Sequence, residues 1–261
     1  MVLPAMAALP AKETVLHSFT GGADGYEPLG LILDTQGNLY GGTMAGGDLA
    51  CTGVPGSSGC GTVFRLAPPA ATKTTTTLTS APNPSTYGQA VTFKAAVTSK
   101  LGAPPDGETV SFMKGTTVLG TGTLSAGSAS FTTSALKVGN NAITAVYGGD
   151  ASFAGSKSKA VKQVVEKATT TTALVSSLNP SKVGQSVTFT ASVAPEFGGT
   201  VTGTVSFYDG TTLLKTVALS GGAAKFTTKA LASGTHSITA TYNGSTSFDG
   251  SASAPLTQTV D

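Results

Sequence analysis

Few residues in this chain are of types that do chemistry, and they are scattered. His17 stands beside Ser18, with Glu13 and Asp24 close in sequence, so the members of a hydrolytic triad can be drawn on paper. Sequence neighbours make poor triads, however, and no Gly-x-Ser-x-Gly elbow is present. Asp34 to Asn38 could offer oxygens to calcium, but the further acidic ligands and closing Glu of a calcium loop are missing, so a structural turn is expected. Cys51 and Cys60 close a short loop rich in Gly, Ser and Pro, and with 2 His in the whole chain a zinc site lacks ligands. A local disulfide is the better reading if the chain meets an oxidising compartment, the alternative being two free thiols in a cytosolic loop. Such a ring contributes about 2 to 3 kcal/mol by loop entropy. Asn243-Gly244-Ser245 fits a glycosylation sequon but reads as a turn. The expectation is therefore no catalytic, cofactor-binding or metal-binding residue and no cofactor, with Cys51 and Cys60 as the single special pair.

The composition is that of a β-rich, extracellular-looking chain. Charged residues are 11% of 261, Gly numbers 34 and Trp is absent, while hydrophobic residues reach 39% at a net charge of +2, which argues for folding rather than disorder. Of the 15 basic residues only Arg65 is an arginine, so nucleic acid is not an expected partner. The densest basic run, Lys157, Lys159, Lys162 and Lys167, reads as a solvated strand face guarding an edge. No apolar run approaches the ~18 residues of a membrane-spanning helix. The start, Met1 to Ala11, is apolar but lacks a positive flank, a poor signal peptide as it stands, so a start further upstream or a longer exported protein is expected.

The elements that would position any site are set by an internal repeat. Asn83-Pro84-Ser85-Thr86-Tyr87-Gly88-Gln89 returns as Asn179-Pro180-Ser181-Lys182-Val183-Gly184-Gln185, an offset of 96 (83 to 179) that becomes 95 at Val110 and Val205, so one residue is lost in a loop between Phe93 and Val110. A unit near this length is an independent small domain rather than a solenoid repeat. In the first copy β-branched and aromatic runs bounded by turn residues predict seven strands, near 74–80, 90–98, 108–114, 117–124, 128–133, 141–147 and 157–165. Phe93, Phe112, Phe131 and Phe153 recur as Phe189, Phe207, Phe226 and Phe248, and Leu119, Leu124, Leu136 and Ile143 as Leu214, Leu219, Leu231 and Ile238; these are the expected cores. His236 corresponds to Asn141, so it lies outside the repeated design and reads as a surface strand residue. The join 164–170 has no Pro or Gly, which predicts a semi-rigid link.

Tyr147-Gly148-Gly149-Asp150-Ala151-Ser152-Phe153, its counterpart Tyr242 to Phe248, and the Asn-Pro-Ser-x-x-Gly-Gln opening resemble the bacterial Ig-like repeat domains of large surface and secreted proteins. The resemblance covers Thr72 to Asp261 and implies Ig-like sandwiches used as spacers or adhesive modules. A second resemblance lies upstream. Leu16-His17-Ser18-Phe19, Pro28-Leu29-Gly30-Leu31-Ile32, Asp34 to Thr43 and Gly61 to Leu66 follow the order of the choice-of-anchor "GloVer" repeat of secreted bacterial proteins, whose units look like propeller blades. One such unit buries too little surface to be robust alone.

The expected fold is all-β: two tandem Ig-like β-sandwiches behind a small propeller-blade-like module. The boundaries are an N-terminal segment 1–12, the GloVer-like repeat 13–67, a linker 68–72, and Ig-like domains 73–166 and 167–261. The expected function is a non-enzymatic, secreted or cell-surface protein whose Ig-like domains present the small module. The alternatives are a carbohydrate- or matrix-binding accessory fragment of a larger secreted enzyme, and a self-assembling fibre subunit. Partners of a protein or polysaccharide kind are unspecified, and homo-association through residues 1–66 is the one partner surface foreseen.

Overall fold

The computed structural model describes residues 15–51, 59–68 and 70–261. The chain forms two compact units, Met1–Ala70 and Ala71–Asp261, and no helix occurs among the described residues. In the first unit β1 (Tyr26–Leu33), β2 (Leu39–Ala45) and β3 (Val63–Leu66) form an antiparallel sheet in the order β1-β2-β3. Its buried described residues are all small: Gly25, Thr43, Ala45, Gly46 and Gly59. Leu29, Leu31, Ile32 and Leu33 of β1 are exposed, as is Val63 of β3, at 85%.

The second unit holds two sandwiches. The first pairs a sheet of β4 (Thr74–Ala81), β6 (Val91–Ser99) and β9 (Ser128–Thr133) with a sheet in the order β5 (Ser85–Thr86), β12 (Val161–Glu166), β10 (Gly139–Gly149), β7 (Thr109–Lys114), β8 (Thr117–Thr123). A short β11 (Ala154–Lys157) also pairs with β10. The second sandwich repeats this with β13 (Thr170–Ser176), β14 (Val187–Pro195) and β17 (Ala223–Thr228) against β15 (Thr204–Asp209), β16 (Thr212–Ala218), β18 (Gly234–Tyr242), β19 (Ser251–Ala252) and β20 (Leu256–Val260). Strand alternation sets the layers: along β6, Val91, Phe93, Ala95 and Val97 are buried while Thr92, Lys94 and Thr98 face water.

The cores are the recurring residues. Phe93, Phe112, Phe189 and Phe207 have no exposure, Ile143 and Ile238 likewise, and Phe131 and Phe226 pack on them half-buried. Tyr147 and Tyr242 are also buried. The foreseen final strand, 157–165, is in fact two. Ser158 interrupts it: its hydroxyl accepts the Ala145 N–H (2.9 Å) and its own N–H reaches the Ala145 carbonyl (2.9 Å). Ser253 does the same to Ala240 in the second copy. The missing residue falls in the loop after the second long strand, 100–108 in the first copy and 196–203 in the second.

Candidate functional site

The residues with chemical potential are held in turns. The sulfurs of Cys51 and Cys60 are bonded, with Cα atoms 5.6 Å apart. His17 Nε2 lies 3.2 Å from Asp24 Oδ2, but that carboxylate also accepts the Thr20 N–H (3.0 Å) and the Thr20 hydroxyl (2.6 Å). The Thr20 bonds hold the Asp24 carboxyl below the usual range, the His17 contact adding less. The ring of His17 packs edge-on against Phe19 at 4.7 Å, and no hydrogen bond joins it to Ser18; Glu13 lies outside the described residues. Asp34 closes the β1–β2 turn by accepting the Gln36 N–H (2.9 Å), the Asn38 N–H (2.8 Å) and the Asn38 side-chain amide (2.8 Å). The Asn38 amide is the main cause that lowers its pKa. Among the described residues no group of three His, Cys, Asp or Glu is placed to hold a metal ion, and no helix is long and apolar enough to cross a membrane.

The turn before Phe153 shows why an acid can be exchanged for a hydroxyl. Asp150 Oδ1 caps the N–H groups of Ser152 (2.7 Å) and Phe153 (2.6 Å), and the backbone bond to Phe153 leads the causes that lower its pKa. In the second copy Ser245 Oγ caps Ser247 and Phe248 at 3.2 Å each. Either oxygen serves the turn. Asn243 donates its amide to Thr204 Oγ1 (2.9 Å) and Ser206 Oγ (3.1 Å) in the same turn.

His236 corrects the expectation of a plain surface residue. Its side chain is 15% exposed; Nδ1 lies 2.6 Å from Asp209 Oδ2 and Nε2 lies 2.9 Å from the Ala232 carbonyl. Both bonds together require both ring nitrogens to donate, as they do in imidazolium. The Ala232 carbonyl first, and Asp209 next, raise its pKa. The first copy has Asn141 in the place of His236 and Lys114 in that of Asp209; Lys114 Nζ donates to Asn141 Oδ1 (2.6 Å), while Asn141 Nδ2 donates to the carbonyls of Lys137 (2.9 Å) and Gly139 (3.1 Å).

The Asn-Pro-Ser-x-x-Gly-Gln opening is a clasp on the last strand. Asn83 accepts from Val164 N–H (3.0 Å) and donates to the Lys162 carbonyl (2.9 Å), and Gln89 folds back to the Thr86 N–H (2.9 Å). Asn179 and Gln185 repeat this on Thr257, Thr259 and Lys182. Gln163 and Gln258, both without exposure, complete the clasp and were not singled out from the sequence, although their recurrence at offset 95 was a usable signal. Gln258 Nε2 donates to the carbonyls of Leu178 (2.9 Å) and Thr259 (3.1 Å), and its Oε1 accepts the Ser176 hydroxyl (2.6 Å). In the first copy Gln163 Oε1 and Ser80 Oγ are buried without partners. Lys157, Lys159, Lys162 and Lys167 are exposed.

The sandwiches meet at Tyr87, half-buried and packed against both cores. Its ring stands edge-on to Phe248, with centroids 5.3 Å apart and planes at 90°. Gly88 faces Gly198 across the junction.

Comparison with known proteins follows the sandwiches. The family model described as Bacterial Ig-like domain (group 3) matches residues 78–166 and again 174–261. No curated protein matches the chain. Among solved structures it is similar to fibronectin(III)-like modules of Clostridium thermocellum CbhA, at 18% identity and a TM-score of 0.30, covering 70% of this chain and 92% of that one. The Escherichia coli adhesin FdeC is similar at 16% identity and a TM-score of 0.31, with coverage of 86% and 74%. The Yersinia pseudotuberculosis adhesin InvE is similar at 13% identity and a TM-score of 0.35, with coverage of 70% and 58%.

Proposed function

Since the chain belongs to the bacterial Ig-like domain (group 3) family, we propose that it is a non-enzymatic modular protein of the cell surface or extracellular space. Its two sandwiches space and present the small N-terminal β unit, which we read as a single GloVer-type repeat. The observation that carries this reading is where the recurring polar residues go. Asn83 and Asn179, Gln89 and Gln185, and Gln163 and Gln258 all bind backbone or side chains within the clasp, so the repeated design maintains a scaffold. The bonded pair Cys51–Cys60 fits an oxidising compartment. Protease treatment of intact source cells, with the culture medium analysed in parallel, tests the location: peptides of this chain are expected in the shaved or secreted fraction. Recovery from the cytoplasm alone overturns the reading.

A second reading, homo-association through residues 1–66, is favoured by the exposed apolar residues of β1 and by two edge strands in a sheet without a large buried side chain. Open edges invite strand addition. Light scattering across a concentration series tests it: mass should rise with concentration. A monomer throughout, with slow amide exchange in β1 and β3, removes it.

A further inference from the structure

We propose that Tyr87 and Gly88 form a latch that fixes the angle between the two Ig-like sandwiches, so that they move as one body. Paired positions in the two copies carry the argument, because each serves as the other's control. Phe248 is 1% exposed beneath the Tyr87 ring, whereas its counterpart Phe153 is only half-buried. Val183 occupies the place of Tyr87 in the second copy and is 59% exposed, so a sandwich of this design folds without an aromatic there.

The glycines repeat the contrast. Gly88 and Gly184 have the same backbone, with φ of +82° and +78°. A Cβ on Gly184 would meet open space, while one on Gly88 would collide with the carbonyl oxygen of Gly198 in the other sandwich. Gly199 lies between the two rings, where a Cβ would stand 3.3 Å from both Tyr87 and Phe248. Gly198 and Gly199 belong to the 196–203 loop, the one a residue shorter than its counterpart, so the receiving loop is where the copies differ in length.

The covalent connection leaves little slack. Tyr87 N–H bonds the Glu166 carbonyl (2.9 Å) at the end of the first sandwich. Ala168, without exposure, bonds Ser247 (3.0 Å) and Asp249 (2.9 Å) in the second. Lys167 alone joins these anchored residues. With the partners tethered at high effective concentration, a small contact is enough to hold them together.

Residual dipolar couplings on the full chain test the latch. In the parent protein one alignment tensor should fit both sandwiches. Tyr87→Val, which installs the residue found at Val183, and Gly88→Ala should each give two tensors of different magnitude, while every sandwich still fits its own structure. Gly184→Ala carries the same backbone strain without the collision and should keep the common tensor. Two tensors in the parent protein overturn the proposal whatever the variants do. So does a common tensor retained in both Tyr87→Val and Gly88→Ala.

Discussion

Phe112 and Phe207 occupy the same buried place in the two sandwiches, and truncation of either to Ala is expected to cost about 3 to 5 kcal/mol. Chemical denaturation of each variant checks this, and parent-like stability would refute the register. His236 carries the pH dependence. Its pKa is raised above the ordinary 6.5, so its stabilisation is complete below the unfolded value and is lost as pH rises through the folded one. Unfolding of the second sandwich should therefore become easier as pH rises above the ordinary 6.5. His236→Asn should flatten that profile, and an unchanged slope would exclude His236 as its source. The large core residues were legible because copies of one fold preserve what packing demands. His236 was not, because its partner Asp209 lies 27 residues away and belongs to a pair exchanged as a whole for Lys114 and Asn141.

Strands were read almost in place, since a solvated sheet face imposes strict alternation, as in Val91 to Val97. What escaped was the break at Ser158: a serine after Lys157 carries no periodic signal, and its role depends on Ala145 in a neighbouring strand. The clasp offers an element-scale test. Ser176→Ala orphans Gln258 Oε1 and should cost about 1 to 3 kcal/mol, whereas Ser80→Ala removes a hydroxyl that already lacks a partner and should cost less. Thermal unfolding of the two variants compares them, and equal losses would show that the Ser176 bond adds nothing.

Over the whole molecule the tandem sandwiches were evident from the repeat, whereas the core of the first unit was not, because the large apolar residues Leu29 to Leu33 are exposed and its buried described residues are small. Protein recovered from an oxidising compartment should show Cys51 and Cys60 blocked to alkylation until reduced, read by intact mass; free thiols without reduction would contradict the bond. The exchanged polar pairs bear on how the chain reaches this state. Two neighbours with nearly identical cores could trade strands while folding. Were β7 to pair with β18 in place of β10, Lys114 would stand where Asp209 does and could not accept the Nδ1 proton of His236, and Asn141 Oδ1 would not be there to accept from Lys114. The loss of both bonds disfavours that product. Divergence at this pair is thus expected to favour correct strand pairing between similar sandwiches on one chain, and making the pairs alike with Asp209→Lys and His236→Asn should increase the misassembled fraction seen on refolding.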